Sequence, residues 1–184
     1  MLTHSGTQQI DTERLVLRRF SPDDAEMMFC NWANDPEVTR YTTWDPHPDA
    51  EYTRELLTAW ANAYEKRDVY NWCIVWKESG EPIGSISVVG IAELHRSVEI
   101  GYCMTRALWG KGIMPEALGA VIDFLFRETN VNRIMAKHDI RNDKSGRVME
   151  KCGMQYEGTM RDVMYTKGEF ATGKVYAVLR ADIQ

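Results

Sequence analysis

Leu108-Trp109-Gly110-Lys111-Gly112-Ile113-Met114-Pro115-Glu116-Ala117 is the stretch that decides how this 184-residue chain is read. An alternating run precedes it and apolar residues at helical spacing follow it. Two glycines at spacing two let the backbone turn tightly and approach a ligand without a Cβ in the way. The helix behind them presents unpaired N–H groups and the positive end of its dipole, a combination that suits phosphate. Pro115 is tolerated because first-turn residues need not donate. The stretch is not a P-loop, since no Gly-Lys-Ser/Thr follows at the right spacing. Nor is it a dinucleotide fingerprint, since the third glycine is missing.

Upstream, Val98-Glu99-Ile100-Gly101-Tyr102-Cys103-Met104 belongs to a strand over 97–104. A glycine inside it suggests a bulge or a close backbone approach. A bulged strand exposes N–H and C=O groups that an amide-containing ligand arm can pair with. Further back, Arg14–Arg18 alternates as a first strand. Ser21-Pro22-Asp23-Asp24 starts a helix to about Trp32. Asp35-Pro36-Glu37 predicts a short helical turn. A helix after His47-Pro48-Asp49 carries Tyr52, Leu56, Trp60 and Ala63 on one stripe. Strands follow at 70–76 and 82–91. Downstream, the pattern gives a helix over 114–127, a strand over 134–137 and a helix over 142–151 closed by Gly153. A final hairpin turns at Lys167-Gly168. The order β-α-α-β-β-β-α-β-α-β-β predicts one mixed α/β (α+β) domain over 11–184, behind a loose lead-in at 1–10.

Apolar residues make up 44% and aromatics 10% of the chain, which argues for a packed core and against disorder. The formal charge of −5 argues against nucleic acid or an anionic membrane as the main partner. Cys30, Cys73, Cys103 and Cys152 are scattered, and the first residues lack a secretory h-region. Reduced thiols and a cytoplasmic location are therefore expected. No apolar run approaches the ~20 residues of a membrane span, and the four histidines lack zinc spacing.

Several ordered motifs together resemble the GNAT N-acetyltransferases. They are Glu99-Ile100-Gly101-Tyr102, Trp109-Gly110-Lys111-Gly112-Ile113-Met114 with Glu116-Ala117, Asn142-x-x-Ser145, and Glu150-Lys151-Cys152-Gly153-Met154. Thr12-Glu13-Arg14-Leu15-Val16-Leu17-Arg18 and Tyr156-Glu157-Gly158 match the RimJ/RimL branch. The resemblance runs from about residue 11 to 180. It implies a central, mostly antiparallel sheet flanked by helices, splayed after the Glu99 strand, with acetyl-CoA as co-substrate and no metal. Pantetheine would lie in the splay against Tyr102, Cys103 and Met104. The pyrophosphate would sit on the amides of Gly110, Lys111, Gly112 and Ile113. Asn142 would hold the pantetheine arm, and Ser145 would face the thioester sulfur. Two positions depart from the family: Ala107 replaces a Gln or Arg, and Met149 replaces the tyrosine that often serves as general acid.

Direct attack by an amine needs two positioned substrates, oxyanion stabilisation, a base and a proton donor. Ser145 is the candidate donor and Glu99 the candidate base, with a backbone N–H near Cys103 for the oxyanion. The competing readings are a serine bonded to its own helix backbone and a glutamate paired with Arg or Lys. Arg40, Tyr41 and Trp44 are candidates for the acceptor pocket, and Asp35 and Glu37 for drawing in an ammonium. His95 and His138 read as solvated. The expected function is acetyl transfer to a protein N-terminal amine or a small amine, with a homodimer left open. The alternative, favoured by Ala107 and Met149, is a non-catalytic CoA-sensing or interaction module on the same fold.

Overall fold

The computed structural model describes residues 1–183. Eight strands form one open sheet in the order β1-β2-β3-β4-β5-β6-β8-β7. They are β1 (Ile10–Asp11), β2 (Leu15–Arg18), β3 (Asn71–Trp76), β4 (Pro82–Ala92), β5 (Ser97–Met104), β6 (Arg133–Asp139), β7 (Gln155–Thr166) and β8 (Glu169–Leu179). Every pair is antiparallel except β5 with β6. Four helices cover the sheet: α1 (Ala25–Met28), α2 (Ala50–Ala63), α3 (Ile113–Glu128) and α4 (Asp143–Lys151). Among the described residues no helix is long and apolar enough to cross a membrane.

Two cores fix the layers. On one face β-strand residues such as Ile74, Ile86, Val98, Ile100 and Ile134 pack on Leu118, Val121 and Leu125 of α3 and Met149 of α4. On the other, Cys73 and Val75 pack on Met28 of α1 and Leu57 of α2. Alternation along β5 therefore sends Ile100, Tyr102 and Met104 to the α3/α4 side and Cys103 to the α1/α2 side.

The first helix starts as read, with Ser21 accepting from Asp23 N and Asp24 accepting from Ser21 N. It widens at once into a π turn at Phe29–Ala33. The buried stripe of α2 runs through Thr53 and Leu57, not through Tyr52, which is half exposed. Asp49 caps that helix by accepting from Tyr52 N. The turn expected at Asp35–Glu37 continues to a 3₁₀ turn at Thr39–Tyr41. Residues ahead of β1 are tied down: Thr7 donates to Val69 O, and the Trp72 indole donates to Gln8 O.

His138 is a correction. It is not solvated but buried on the α3/α4 face of β6. Its Nδ1 lies 2.8 Å from Asp139 O, so that nitrogen carries the hydrogen, and Nε2 has no hydrogen-bond partner. Nε2 faces Gly146 of α4, where an added Cβ would lie 2.7 Å from it. Only glycine lets the first turns of α4 sit this close to β6, and this contact sets where Asn142 and Ser145 stand.

Gly146→Ala should therefore push α4 away from the sheet and destabilise the fold by about 1–3 kcal/mol, the range for overpacking. His138→Ala in the same chain removes the opposing atom and should recover much of that loss. Urea unfolding of both variants measures this; an unperturbed single variant would show that α4 is not held by this contact.

Candidate active site

The β5–β6 pairing lasts only three residues, from Ser97 opposite Arg133 to Glu99 opposite Met135. Beyond it, β5 stays on β4 as far as Met104 and β6 stays on β8 as far as Asp139. The two strands part, and the β5 edge from Ile100 onward has no strand beside it on that side. The sheet irregularity expected at Gly101 lies on the partner strand instead. β4 bulges between Val88 and Gly90, and Val89 leans over Gly101, whose absent Cβ would meet Val89 Cγ1 at 3.1 Å. A bulge adds local twist, and it falls where the strands separate.

The loop before α3 is built as its sequence implies. Gly110 and Gly112 have φ of 78° and 76°, the left-handed region, and Gly112 is the residue on which α3 starts. Nothing lies within 4 Å of the space a Gly110 Cβ would fill, so a phosphate has room there. The loop carbonyls are turned the other way: Arg14 donates from Nη1 to Lys111 O at 3.1 Å and from Nη2 to Gly112 O at 3.3 Å. Arg14 is itself held by Glu116, Nε to Oε2 at 2.6 Å, and Thr12 donates to Glu116 at 2.6 Å. Burial raises the Glu116 pKa, but the hydrogen bonds from Thr12 and Arg14 outweigh it and hold the carboxyl below its ordinary value. The β1–β2 connection and the first turn of α3 thus form one clamp on the loop.

At the mouth of the splay the Lys144 ammonium lies 4.8 Å from the Trp109 ring centroid. The Trp109 indole donates to Met104 O at 3.1 Å, so that carbonyl is already engaged. Asn142 precedes α4 but makes no side-chain cap bond, which leaves its amide free. Ser145 faces Tyr102: the phenol oxygen is 3.0 Å from Ser145 Oγ and 3.0 Å from Ser145 O. Burial pushes the Tyr102 pKa up, so the phenol keeps its proton at any working pH. Met149 is fully buried in the core beneath.

Glu99 makes an ion pair with Lys137, Oε1 to Nζ at 3.0 Å. Cys103 lies 3.3 Å from Ser85 Oγ, and burial raises its pKa, keeping the thiol protonated and a poor nucleophile. Arg40 and Tyr41 share a cavity with Arg141 and Lys167. Trp44 packs instead on the α1/α2 core and the His47 ring. Asp35 is paired with Arg106 at 3.2 Å, while Glu37 remains exposed. His95 is exposed. Among the described residues no group of three or more His, Cys, Asp or Glu is placed to hold a metal. Sequence reasoning missed the Tyr102 side chain, Lys144, Arg141 and Lys167. Tyr102, Lys144 and Lys167 meet partners 35 to 128 residues away, and Arg141, paired locally with Asp139, reaches Tyr41 only through the fold.

The splayed sheet, the glycine loop and the Asn142–Ser145 turn define an acyl-CoA-dependent acyltransferase architecture. Residues 14–155 match the acetyltransferase (GNAT) domain, and the chain belongs to that family. It is 32% identical over 171 residues to YoaA of Bacillus subtilis, described as an uncharacterised N-acetyltransferase, covering 93% of this chain and 96% of YoaA. It is 25% identical over 181 residues to the Escherichia coli [ribosomal protein uS5]-alanine N-acetyltransferase, covering 95% and 92%. Among solved structures, a GNAT-family acetyltransferase from Bacillus anthracis superposes with a TM-score of 0.82 at 26% identity, covering 95% and 99%. The protein is an acetyltransferase of this family.

Breaking the clamp with Glu116→Gln should raise KM for acetyl-CoA about tenfold and leave kcat within about threefold, as a loss of ground-state binding does. The sign with pH follows from the depressed carboxyl. Its stabilising contribution is complete above the unfolded value of about 4.3 and is lost as pH falls through the folded value. Melting temperature against pH should therefore fall more steeply in acid for wild type than for Glu116→Gln. Parallel curves would remove the carboxylate from the clamp.

Proposed function

We propose that this protein transfers the acetyl group of acetyl-CoA directly to a primary amine, either the α-amine of a protein N-terminus or a small amine. The observation that carries the reading is the strandless edge of β5 beyond Glu99, opening between the glycine loop and the Asn142–Ser145 turn. Amides of the pantetheine arm can pair with that edge as an added strand would, with Asn142 as a further partner. The loop amides from Gly110 to Ile113, with Lys111 and Lys144 nearby, suit the diphosphate.

The chain's residues then divide the work. A backbone N–H near Cys103 stabilises the oxygen that becomes negative as nitrogen bonds to the acetyl carbon. Glu99, oriented by Lys137, takes the amine proton through water. Ser145 returns a proton to the sulfur as the C–S bond breaks. The Tyr102 hydroxyl, which donates to Ser145 O beforehand, turns to donate a hydrogen bond to Oγ as that proton leaves, and the proton taken from the amine restores Ser145 through water. The protonated Cys103 supports a direct transfer with no acyl-enzyme. Similarity to an enzyme named for the uS5 alanine supports a protein α-amine as the first acceptor to try.

Thiol release from acetyl-CoA over a panel of amines tests the activity. Ser145→Ala should lower kcat by about tenfold to a thousandfold, the scale of general acid catalysis, with KM for acetyl-CoA little changed. Tyr102→Phe should lose less, and the double variant should be no slower than Ser145→Ala alone, because the phenol acts through the serine. Additive losses would mean independent roles, and an unchanged Ser145→Ala would give the proton to water.

Glu99→Gln should depress kcat/KM most at low pH, with partial recovery toward about pH 9–10 as α-amines, of pKa about 8, become neutral unaided. A uniform loss at every pH would leave Glu99 with its ion pair alone.

A further inference from the structure

The Thr39–Tyr41 turn and the tip of the β7–β8 hairpin meet beside the end of β6 and enclose a cavity of about 270 Å³. Arg40, Tyr41, Arg141, Thr166, Lys167 and Glu169 line it. Two features shape its walls. Lys167 and Gly168 at the tip have φ of 52° and 85°. A two-residue turn of this kind favours Asn, Asp or Gly at its first position, so lysine gains nothing from its backbone there. Its side chain reaches across 128 residues of sequence and donates to Thr39 O at 2.7 Å, tying one wall to the other. The second feature is the Tyr41 ring, which has the Arg40 guanidinium 5.5 Å and the Arg141 guanidinium 5.9 Å from its centroid.

Each cation has a carboxylate near it, and the geometry decides how much charge is left for a ligand. Asp139 is buried and takes Arg141 Nε at 2.9 Å and Nη2 at 2.5 Å. That pair fixes the guanidinium plane and leaves Nη1 unused by it. Glu37 and Asp45 are exposed and stand 3.9 Å from Arg40 and 3.6 Å from Lys167, beyond hydrogen-bond length. Such pairs are screened and weak. Glu169 is the one carboxylate on the lining. The cavity therefore offers convergent N–H donors with an aromatic floor. Arg141 immediately precedes Asn142, and Ser145 follows one turn later, so the cavity opens next to the splay. Tyr41 is joined to the α1/α2 side of the molecule through the Thr39–Tyr41 turn, so the cavity lies between that side and the end of β6.

We infer that this cavity binds a carboxylate of the acceptor close to its reacting amine, so that acidic amines are the preferred substrate class. The inference rests on the acetyl-transfer reading above. The carboxylate can come from an acidic side chain near a peptide N-terminus or from the α-carboxylate of a free amino acid, and the test separates them.

Acetyl transfer is measured on three amidated peptides that differ at the second residue, Ser-Glu-, Ser-Gln- and Ser-Lys-, and on free serine. The glutamate peptide should exceed the glutamine peptide in kcat/KM by about tenfold, the scale of one charge-assisted hydrogen bond, mainly through KM. The ratio should shrink with added salt. Arg40→Gln should reduce it several-fold, Arg40→Glu should turn it toward the lysine peptide, and Glu169→Gln should raise it. Free serine exceeding the peptides would assign the cavity to an α-carboxylate. Equal turnover of all acceptors overturns the anion site and leaves the acetyltransferase reading intact. If nothing is acetylated, calorimetric binding of the same peptides to CoA-loaded protein decides. A glutamate preference lost in Arg40→Gln supports the site although the transfer reading fails. No preference, or no binding, overturns it.

Discussion

The parting of β5 from β6 after Glu99 and Met135 is the constraint on which the rest of the molecule depends. Each strand is anchored on its far side, β5 by β4 up to Met104 and β6 by β8 up to Asp139. Neither can swing back to pair with the other without breaking a longer ladder. The β4 bulge at Val88/Gly90 adds twist at the same level, and glycine at 101 makes room for the displaced Val89. Backbone N–H and C=O groups left without a strand must find other partners. An amide-rich ligand arm, as proposed for the pantetheine of acetyl-CoA, would supply them.

Two small contacts keep the walls of that opening in place, one on each side. Arg14, held in place by Glu116, donates to the loop carbonyls of Lys111 and Gly112 and so fixes the loop backbone. His138 and Gly146 let α4 close down on β6 until Ser145 meets Tyr102. Both work through polar or steric specificity more than buried area. The large apolar clusters hold the layers together, but they tolerate small shifts that the chemistry does not, since an error of about 1 Å in a reacting group can cost a hundredfold in rate.

The glycine loop was legible because left-handed backbone leaves a mark in the sequence: Gly110, Gly112 and Gly153 all stand at positive φ. The long strands and helices were legible from their periods. The position of the bulge was not, because Val88-Val89-Gly90 reads as ordinary strand and the irregularity exists only relative to β5. His138 was misread because Lys137 and Asp139 flank it. On a strand those neighbours point to the opposite face, and a polar residue between two others looks solvated until its own face is known. Tyr52 was misplaced for a related reason: a helix can be rotated by tens of degrees without changing its apolar count. The cavity lined by Arg40 and Tyr41 was half legible. Arg40 and Tyr41 come from one segment, but Arg141 and Lys167 join them only through the fold.

Met149 stands where many members of this family carry a helix tyrosine, and Tyr102 brings a phenol to the same helix from the facing strand. Asn142, Ser145 and Met149 are spaced three and seven residues apart, so they share one stripe of α4 that runs from the mouth of the splay into the core. Met149, at the buried end, is packed among α3 and the sheet. A phenol there would need a hydrogen-bond partner in apolar surroundings. Tyr102 brings its phenol from the facing strand instead, where Ser145 Oγ and Ser145 O both lie at 3.0 Å. The polar group thus approaches the stripe from across the opening. The high pKa that burial gives Tyr102 makes it a poor acid by itself but a constant donor. In the reaction proposed above, Ser145 is the group that hands over the proton, with the phenol behind it supplying the compensating hydrogen bond.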